Sequence, residues 1–278
     1  MTTATKDYRS EPARRLVTFG ESHTVGISAT RWEDGWAAIL KRLIDRFQDE
    51  PVELVNRGIG ADVLSKACPI YAEYRGRRPI GIERYRRHVI EERPDLVVIS
   101  FGYNDVRAGT PIDDFERDLR TIVGDIQSET NATIVLMDTY AIPGAGHSGR
   151  TGGTVAGSAW DRGTPESQAA YNRMLEDVAT TMALVFARVF EAQDGAPWTF
   201  CSPDGTEDIH ANDLGHRLIA NRVFEVLAAQ CSFLSTKALR DREQAGKSPW
   251  RYGGDSAEAA LIADFYPDSP DVAQFQTG

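Results

Sequence analysis

The run DLVVISFG, residues 95–102, has no polar face. Side chains alternate sides along a strand, so apolar residues at both parities mark a strand buried on both faces, as in the middle of a parallel sheet. Parallel neighbours cannot be joined by hairpins; each pair needs a crossover of about a dozen residues or more, usually a helix. A chain built around such a strand must therefore alternate strands with helices. RLVTF (15–19), VELVNRG (52–58), ATIVLMDT (132–139) and ALVFARVFEA (183–192) read as the other four strands. Between them, Trp36, Ile39, Leu40, Leu43, Ile44 and Phe47 fall at helical spacing on one face. Ile82, Tyr85, Val89 and Ile90 predict a helix over about 80–92 that Pro94 stops. Pro111 opens the next helix, striped by Ile112, Phe115, Leu119, Ile122, Val123 and Ile126. Another is predicted over 166–182, with Tyr171, Met174, Leu175 and Val178 inward. Asp213 is placed to cap a last helix running through about 229. Five such βα units predict an α/β fold, a doubly wound parallel sheet with helices on both faces.

This pattern fills residues 15–231 as one domain, after an N-terminal extension of 1–14. Residues 232–278 break the rhythm, and we expect an extension that packs on the domain or mediates homo-oligomerisation. The net charge of -10 argues against a nucleic-acid or anionic-membrane partner. No apolar run reaches the roughly 18 residues of a membrane span. The N-terminus, MTTATKDYRSEPARR, has no apolar segment of secretory type, so a cytoplasmic protein is expected. Cys68, Cys201 and Cys231 are odd in number and scattered, which predicts neither a disulfide framework nor a zinc motif. His210 and His216 are six apart, not a helical metal pair. The sequence thus points to no metal and no cofactor.

In an open parallel sheet, ligands bind beyond the carboxyl ends of the strands. The first strand ends at Gly20-Glu21-Ser22, the second at NRGIGAD with Gly58, and the third at GYND with Asn104. The loop before the last helix carries EDIHANDLGH with His210. Each of these alone is bland: GES and GYND are ordinary turn sequences, and a lone histidine is a surface residue as readily as a base. Together, on one expected edge, they form a chemical set. A serine hydroxyl needs a base to take its proton as it attacks, and imidazole titrates near neutrality. An oxyanion needs preorganised donors, which the backbone N–H groups of Ser22 and Gly58 and the Asn104 amide could supply. A nucleophile elbow, Gly-x-Ser-x-Gly, is excluded because Thr24 stands at the last glycine position.

These blocks resemble the SGNH, or GDSL, hydrolases. FGESHTVG is similar to their Gly-Asp-Ser-(Leu) block, Gly58 to their second block, and GYND to Gly-x-Asn-Asp. EDIHANDLGH is similar to Asp-x-x-His-Pro-Asn-x-x-Gly-His, and the order is the family's over about residues 15–230. The resemblance implies a flavodoxin-like three-layer α/β/α sandwich around a five-stranded parallel sheet, and usually no metal. It implies Ser22 as nucleophile, His210 as base, and Ser22, Gly58 and Asn104 as oxyanion donors. The triad acid falls three before the histidine, at Glu207, where the family has aspartate; Asp208 and a backbone carbonyl are the alternatives for orienting His210. Glu21 replaces the family's aspartate and Ala211 its proline; His23, beside the serine, is read either as lining the pocket or as packing.

The activity implied is serine esterase chemistry on a small-molecule ester, a small acyl group such as acetyl on a sugar or other small alcohol. Acyl transfer by the same acyl-enzyme, or a binding module that lost its acid, are the rival readings. YRGRRPIGIERYRR (74–87) holds six arginines, read either as salt bridges and a solvated face or as an anion-recognition patch. The glycine-rich loop 143–157 lacks the P-loop lysine and reads as a substrate cover or an inert insertion. Asp105 is expected to stabilise the GYND loop, and His216 to pack on the last helix or hydrogen-bond locally.

Overall fold

The computed structural model describes residues 6–141, 159–195, 199, 209–245 and 257–268. The glycine-rich loop 143–157, Cys201, Glu207 and Asp208 lie outside the described residues. Five strands, β1 (Arg15–Gly20), β2 (Glu53–Gly58), β3 (Leu96–Ser100), β4 (Thr133–Met137) and β5 (Val185–Ala187), form one sheet in the order β2-β1-β3-β4-β5. Every pairing is parallel, with Gly20 level with both Gly58 and Ser100. Helices α1 (Ser22–Val25) and α2 (Trp36–Phe47) join β1 to β2, and α3 (Tyr71–Tyr74) and α4 (Gly81–Tyr85) join β2 to β3. α5 (Tyr103–Ala108) and α6 (Ile112–Glu129) lead to β4, and α7 (Pro165–Thr181) leads to β5. α8 (Phe190–Asp194) and α9 (Asp213–Gln230) complete the sheet domain. This is the expected doubly wound α/β/α sandwich.

Strand alternation divides the interior into two layers. Leu96 and Val98 face α2 and α9, packing with Leu40, Ile44, Ile219 and Val223. Val97 and Ile99 face α6 and α7, packing with Phe115, Leu119, Ile122 and Val178. Both parities of the 95–102 run are therefore buried, which is why it carries no polar side chain between Leu96 and Ile99.

Three boundaries differ from the sequence expectation, two of them because of a hydrogen bond to a residue distant in sequence. The predicted fifth strand, 183–192, is only Val185–Ala187, and the chain turns into α8 at Phe190. Asp138, just beyond β4, accepts the N–H groups of Val189 and Phe190 at 2.6 and 3.0 Å and so satisfies the start of that helix. The cap of α9 is Asn212, whose Oδ1 accepts from the Gly215 N–H at 3.1 Å. Asp213 instead accepts the Thr30 N–H at 2.7 Å, tying the last helix to the segment after α1. The predicted 80–92 helix is α4 followed by a π-helical turn, Arg86–Ile90.

By its contacts the chain divides into two compact units, Met1–Thr236 and Lys237–Gly278. Residues 232–278 are not merely irregular: α10 (Phe233–Ala245) and α11 (Ala257–Phe265) are helical. Phe233 and Leu234, at the start of α10, are buried in the sheet domain's core. No described helix is long and apolar enough to cross a membrane. Cys68 and Cys231 are buried free thiols.

The carboxyl end of β1 is fixed by close backbone approach. A Cβ on Gly20 would lie 2.4 Å from the Ser100 carbonyl oxygen and 2.3 Å from Thr24 Oγ1. A Cβ on Gly58 would lie 2.5 Å from the backbone nitrogen of Val25 in α1. Glycine at 20 lets β1, β3 and α1 meet. Gly20→Ala is expected to lower unfolding free energy by about 1–3 kcal/mol, as overpacking does; urea denaturation checks it, and a neutral effect would contradict the close packing.

Candidate active site

In this sheet β1 lies between β2 and β3, and the connections leaving β1 and β3 go to opposite faces. The crevice at such a switch point is open at the carboxyl ends of the strands. Ser22 follows β1 there as the first residue of α1, and Asn104 follows β3 in the first turn of α5. Both side chains are buried at the rim, with 4% and 3% of each residue exposed. The structure brings His210, which lies 188 residues further on, to the same point: its Nε2 is 2.9 Å from Ser22 Oγ. The backbone N–H of Ser22 has no acceptor among the described residues.

The loop carrying His210 is held on both sides of the imidazole. Tyr103 in α5 donates its hydroxyl to the Ile209 carbonyl at 3.1 Å. The N–H of Ala211 donates to His23 Nε2 at 3.3 Å, and the N–H of Asn212 to the Thr199 carbonyl at 2.9 Å. His23 is fully buried, stacked on Tyr140 with ring centroids 3.9 Å apart and 5.2 Å from the His210 ring. Two departures from the GDSL blocks thus meet each other. A proline at 211 would have no N–H to give, and a leucine at 23 would have nothing to accept it. Burial, then the nearby His210, His216 and Arg107, pushes the His23 pKa well below the ordinary imidazole value, so its Nε2 stays an acceptor. His216 does not merely pack on its own helix. Its Nδ1 accepts the Trp36 N–H at 3.4 Å and its Nε2 donates to the Ile27 carbonyl at 3.1 Å, binding α9 to α2 and to the chain after α1.

Asn104 is fixed at three atoms. Its N–H donates to the Glu21 carboxyl at 3.2 Å, its Nδ2 donates to the Asp62 carbonyl at 3.1 Å, and its Oδ1 accepts from Arg107 Nη1 at 3.2 Å. Glu21 also accepts the Gly102 N–H at 3.0 Å, so the residue beside the serine caps the start of α5. Its burial, with Asp105 nearby, raises its pKa well above the ordinary carboxyl range. Asp105 supports the same loop, accepting the Leu64 N–H at 3.0 Å and the Thr110 hydroxyl at 3.0 Å. Burial pushes its carboxyl up to about 7.

Gly58 has a different place from the one its sequence position suggests. Its N–H donates to Asn56 Oδ1 at 2.9 Å, while Asn56 Nδ2 donates to the Thr24 carbonyl at 2.6 Å. The Gly58 N–H is therefore spent on a link between β2 and α1, and the glycine is needed for the approach of α1. Further along this loop the Ile59 N–H donates to the Gly20 carbonyl at 3.1 Å and the Asp62 N–H to the Ile59 carbonyl at 3.2 Å. Tyr74 donates to the Ala61 carbonyl at 2.9 Å and Arg78 donates to the Gly60 carbonyl, which fixes the peptides there. The N–H of Ala61, antiparallel to the Gly60 carbonyl, has no acceptor among the described residues.

Sequence reasoning missed Asn56, Asp62, Tyr103, Arg107 and Tyr140, all of which support the site from inside. The arginine run 74–87 resolves into separate tasks. Arg84 is buried and bonded to Asp62 at 2.6 Å and to the Gly20 carbonyl at 3.1 Å, while Arg86 pairs with Asp125 and Glu129 on the surface. Among the described residues no His, Cys, Asp or Glu cluster could hold a metal ion.

A parallel sheet with a serine, an imidazole and an amide at its switch point is the architecture of a hydrolase. The profile of the GDSL-like lipase/acylhydrolase family matches residues 18–218, and the chain belongs to that family, as a carboxylic ester hydrolase. No curated protein matches the chain. Among solved structures it is similar to Axe2, an acetylxylan esterase from Geobacillus stearothermophilus. That likeness has 19% identity, covers 80% of this chain and 96% of that one, and has a TM-score of 0.56. It is similar also to a lipase/acylhydrolase from Enterococcus faecalis, at 22% identity over 78% of this chain and 96% of that one, with a TM-score of 0.56. Catalytic mutants of Axe2 replace a serine, a histidine and an aspartate three positions before that histidine.

The His23–Ala211 contact has a pH signature. An imidazole whose folded pKa lies below its unfolded value opposes folding as pH falls, because only the unfolded chain takes up the proton near 6.5. His23→Leu leaves the Ala211 N–H unpaired and is expected to be about 1–3 kcal/mol less stable than the native chain at pH 8. The difference should narrow as pH falls below 6.5. Denaturant titrations across that range check it; a constant gap would show that His23 is not held neutral.

Proposed function

We propose that the protein is a serine esterase that removes a small acyl group, acetyl above all, from a sugar or other small alcohol through an acyl-serine intermediate. The observation that carries this reading is the 2.9 Å contact between His210 Nε2 and Ser22 Oγ. Ser22 Oγ attacks the acyl carbon as His210 takes its proton, and the carbonyl oxygen becomes an oxyanion. The oxyanion is received by the Ser22 N–H and by the Nδ2–H of Asn104 that the Asp62 carbonyl leaves free. A third donor comes from the loop after β2, from Ala61 rather than Gly58, because the Gly58 N–H is already taken by Asn56. Collapse expels the alkoxide, which receives the proton from His210. The imidazole then draws a proton from water as that water attacks the acyl-serine, and returns it to Ser22.

Glu207 orients His210 in this scheme. It stands three positions before the histidine, the spacing at which Axe2 carries the aspartate of its catalytic mutant. Glutamate is one methylene longer and serves from a slightly more distant backbone. The acetyl preference rests on the likeness to Axe2, an acetylxylan esterase.

Ser22→Ala is expected to abolish turnover of p-nitrophenyl acetate with the fold intact, and Asn104→Ala to cost roughly 10²–10³ in rate. Glu207→Gln should cost far more than Asp208→Asn; the reverse order assigns the acid to Asp208. Across p-nitrophenyl esters of increasing length, kcat/KM should be highest for acetyl. A maximum at long chains would overturn the substrate assignment but not the esterase.

A further inference from the structure

Two arginines are buried among the described residues, and only one has a counter-ion. Arg84 lies 2.6 Å from Asp62. Arg107, 6% exposed, has no carboxylate within ion-pair distance among the described residues. Its Nε is buried and donates to nothing, and its guanidinium carbon sits 5.2 Å from the Tyr103 ring centroid and 5.6 Å from that of Trp160. The buried carboxyls that support the Asn104 loop are otherwise engaged: Glu21 accepts the N–H groups of Gly102 and Asn104, and Asp105 accepts from Leu64 and Thr110. Among the described residues the one hydrogen bond of the Arg107 guanidinium is from Nη1 to Asn104 Oδ1, at 3.2 Å.

Removing a cation from water without an opposite charge is costly, so the arrangement needs a reason. The Asn104 amide supplies it. Its Oδ1 faces a group that only donates, and its Nδ2 faces the Asp62 carbonyl, a group that only accepts. The two neighbours therefore fix which end of the amide is nitrogen, and leave one N–H for the reacting carbonyl. A cation on Oδ1 also draws electron density from the amide and strengthens Nδ2–H as a donor, since linked hydrogen bonds polarise one another.

We propose that Arg107 is a positioning residue for the oxyanion. It locks the Asn104 amide with nitrogen toward the substrate, and its unpaired positive charge acquires an anion only when the tetrahedral oxyanion forms. An interaction that is weak in the resting enzyme and strong in the transition state raises kcat and leaves KM alone. This rests on the esterase reading.

The test is a double-mutant cycle on p-nitrophenyl acetate, a neutral ester that offers Arg107 no anionic group of its own. In the native background Arg107→Gln should lower kcat about tenfold, less than loss of the oxyanion donor itself, with KM unchanged. In the Asn104→Ala background the same substitution should cost less than about twofold, since the amide it acts through is gone. Arg107→Lys, which keeps the charge but not the planar fork, should fall between. Equal losses in the two backgrounds, or a loss confined to KM, would overturn the proposal. If Arg107→Gln does not fold, as read by thermal unfolding, Arg107→Lys is carried through the same cycle with the same criterion. An inactive native protein would instead overturn the esterase reading on which this one rests.

Discussion

The contact between Ser22 Oγ and His210 Nε2 joins residues 188 apart in the chain, and most of the buried polar structure near the rim serves it. α1 is a single turn and has little stability of its own. Its position comes from its neighbours: Gly20 against Ser100, Gly58 against Val25, Asn56 bonded to Thr24, and Glu21 reaching across to α5. His210 depends likewise on Tyr103 before it and His23 behind it. Ser22 and His210 are both mounted on short connections, and the rigidity comes from the sheet edge beneath them.

A second feature is the way charge is arranged at that edge. Glu21, Asp105 and Asp62 are buried carboxyls around the Asn104 loop, met mainly by backbone N–H groups and by Arg84. Arg107 stands apart because it faces the amide oxygen and, among the described residues, no carboxylate. In a low-dielectric site, fully satisfied groups specify one geometry and an unsatisfied one stores electrostatic potential. Here the satisfied groups hold the loop, and the Arg107 cation lies beside the Asn104 amide oxygen.

Much of this was legible in the sequence. The 95–102 run demanded a central parallel strand because both its faces are apolar, and the helical stripes of α2, α6 and α7 were visible for the same reason. The placing of Ser22, Asn104 and His210 at one rim was legible because ligands in such a sheet bind beyond the strand ends. The misreadings share one cause. Asp138 ending the fifth strand, Asn56 reaching from β2 to the Thr24 carbonyl, and Asp213 turning to Thr30 are hydrogen bonds between chain segments, which local periodicity does not encode. Arg107 was hidden because its neighbours in sequence say nothing of its burial. Ala211 was visible as a departure, but its pairing with His23 needed the fold.

The account stands on Ser22 being activated by His210. The most direct measurement is mass-spectrometric mapping of the adduct formed with a fluorophosphonate, which requires an activated serine in the folded protein. A single adduct on Ser22, lost on unfolding and strongly slowed in His210→Ala, is the predicted result. Labelling of another serine, or of Ser22 at an equal rate without the imidazole, would contradict it.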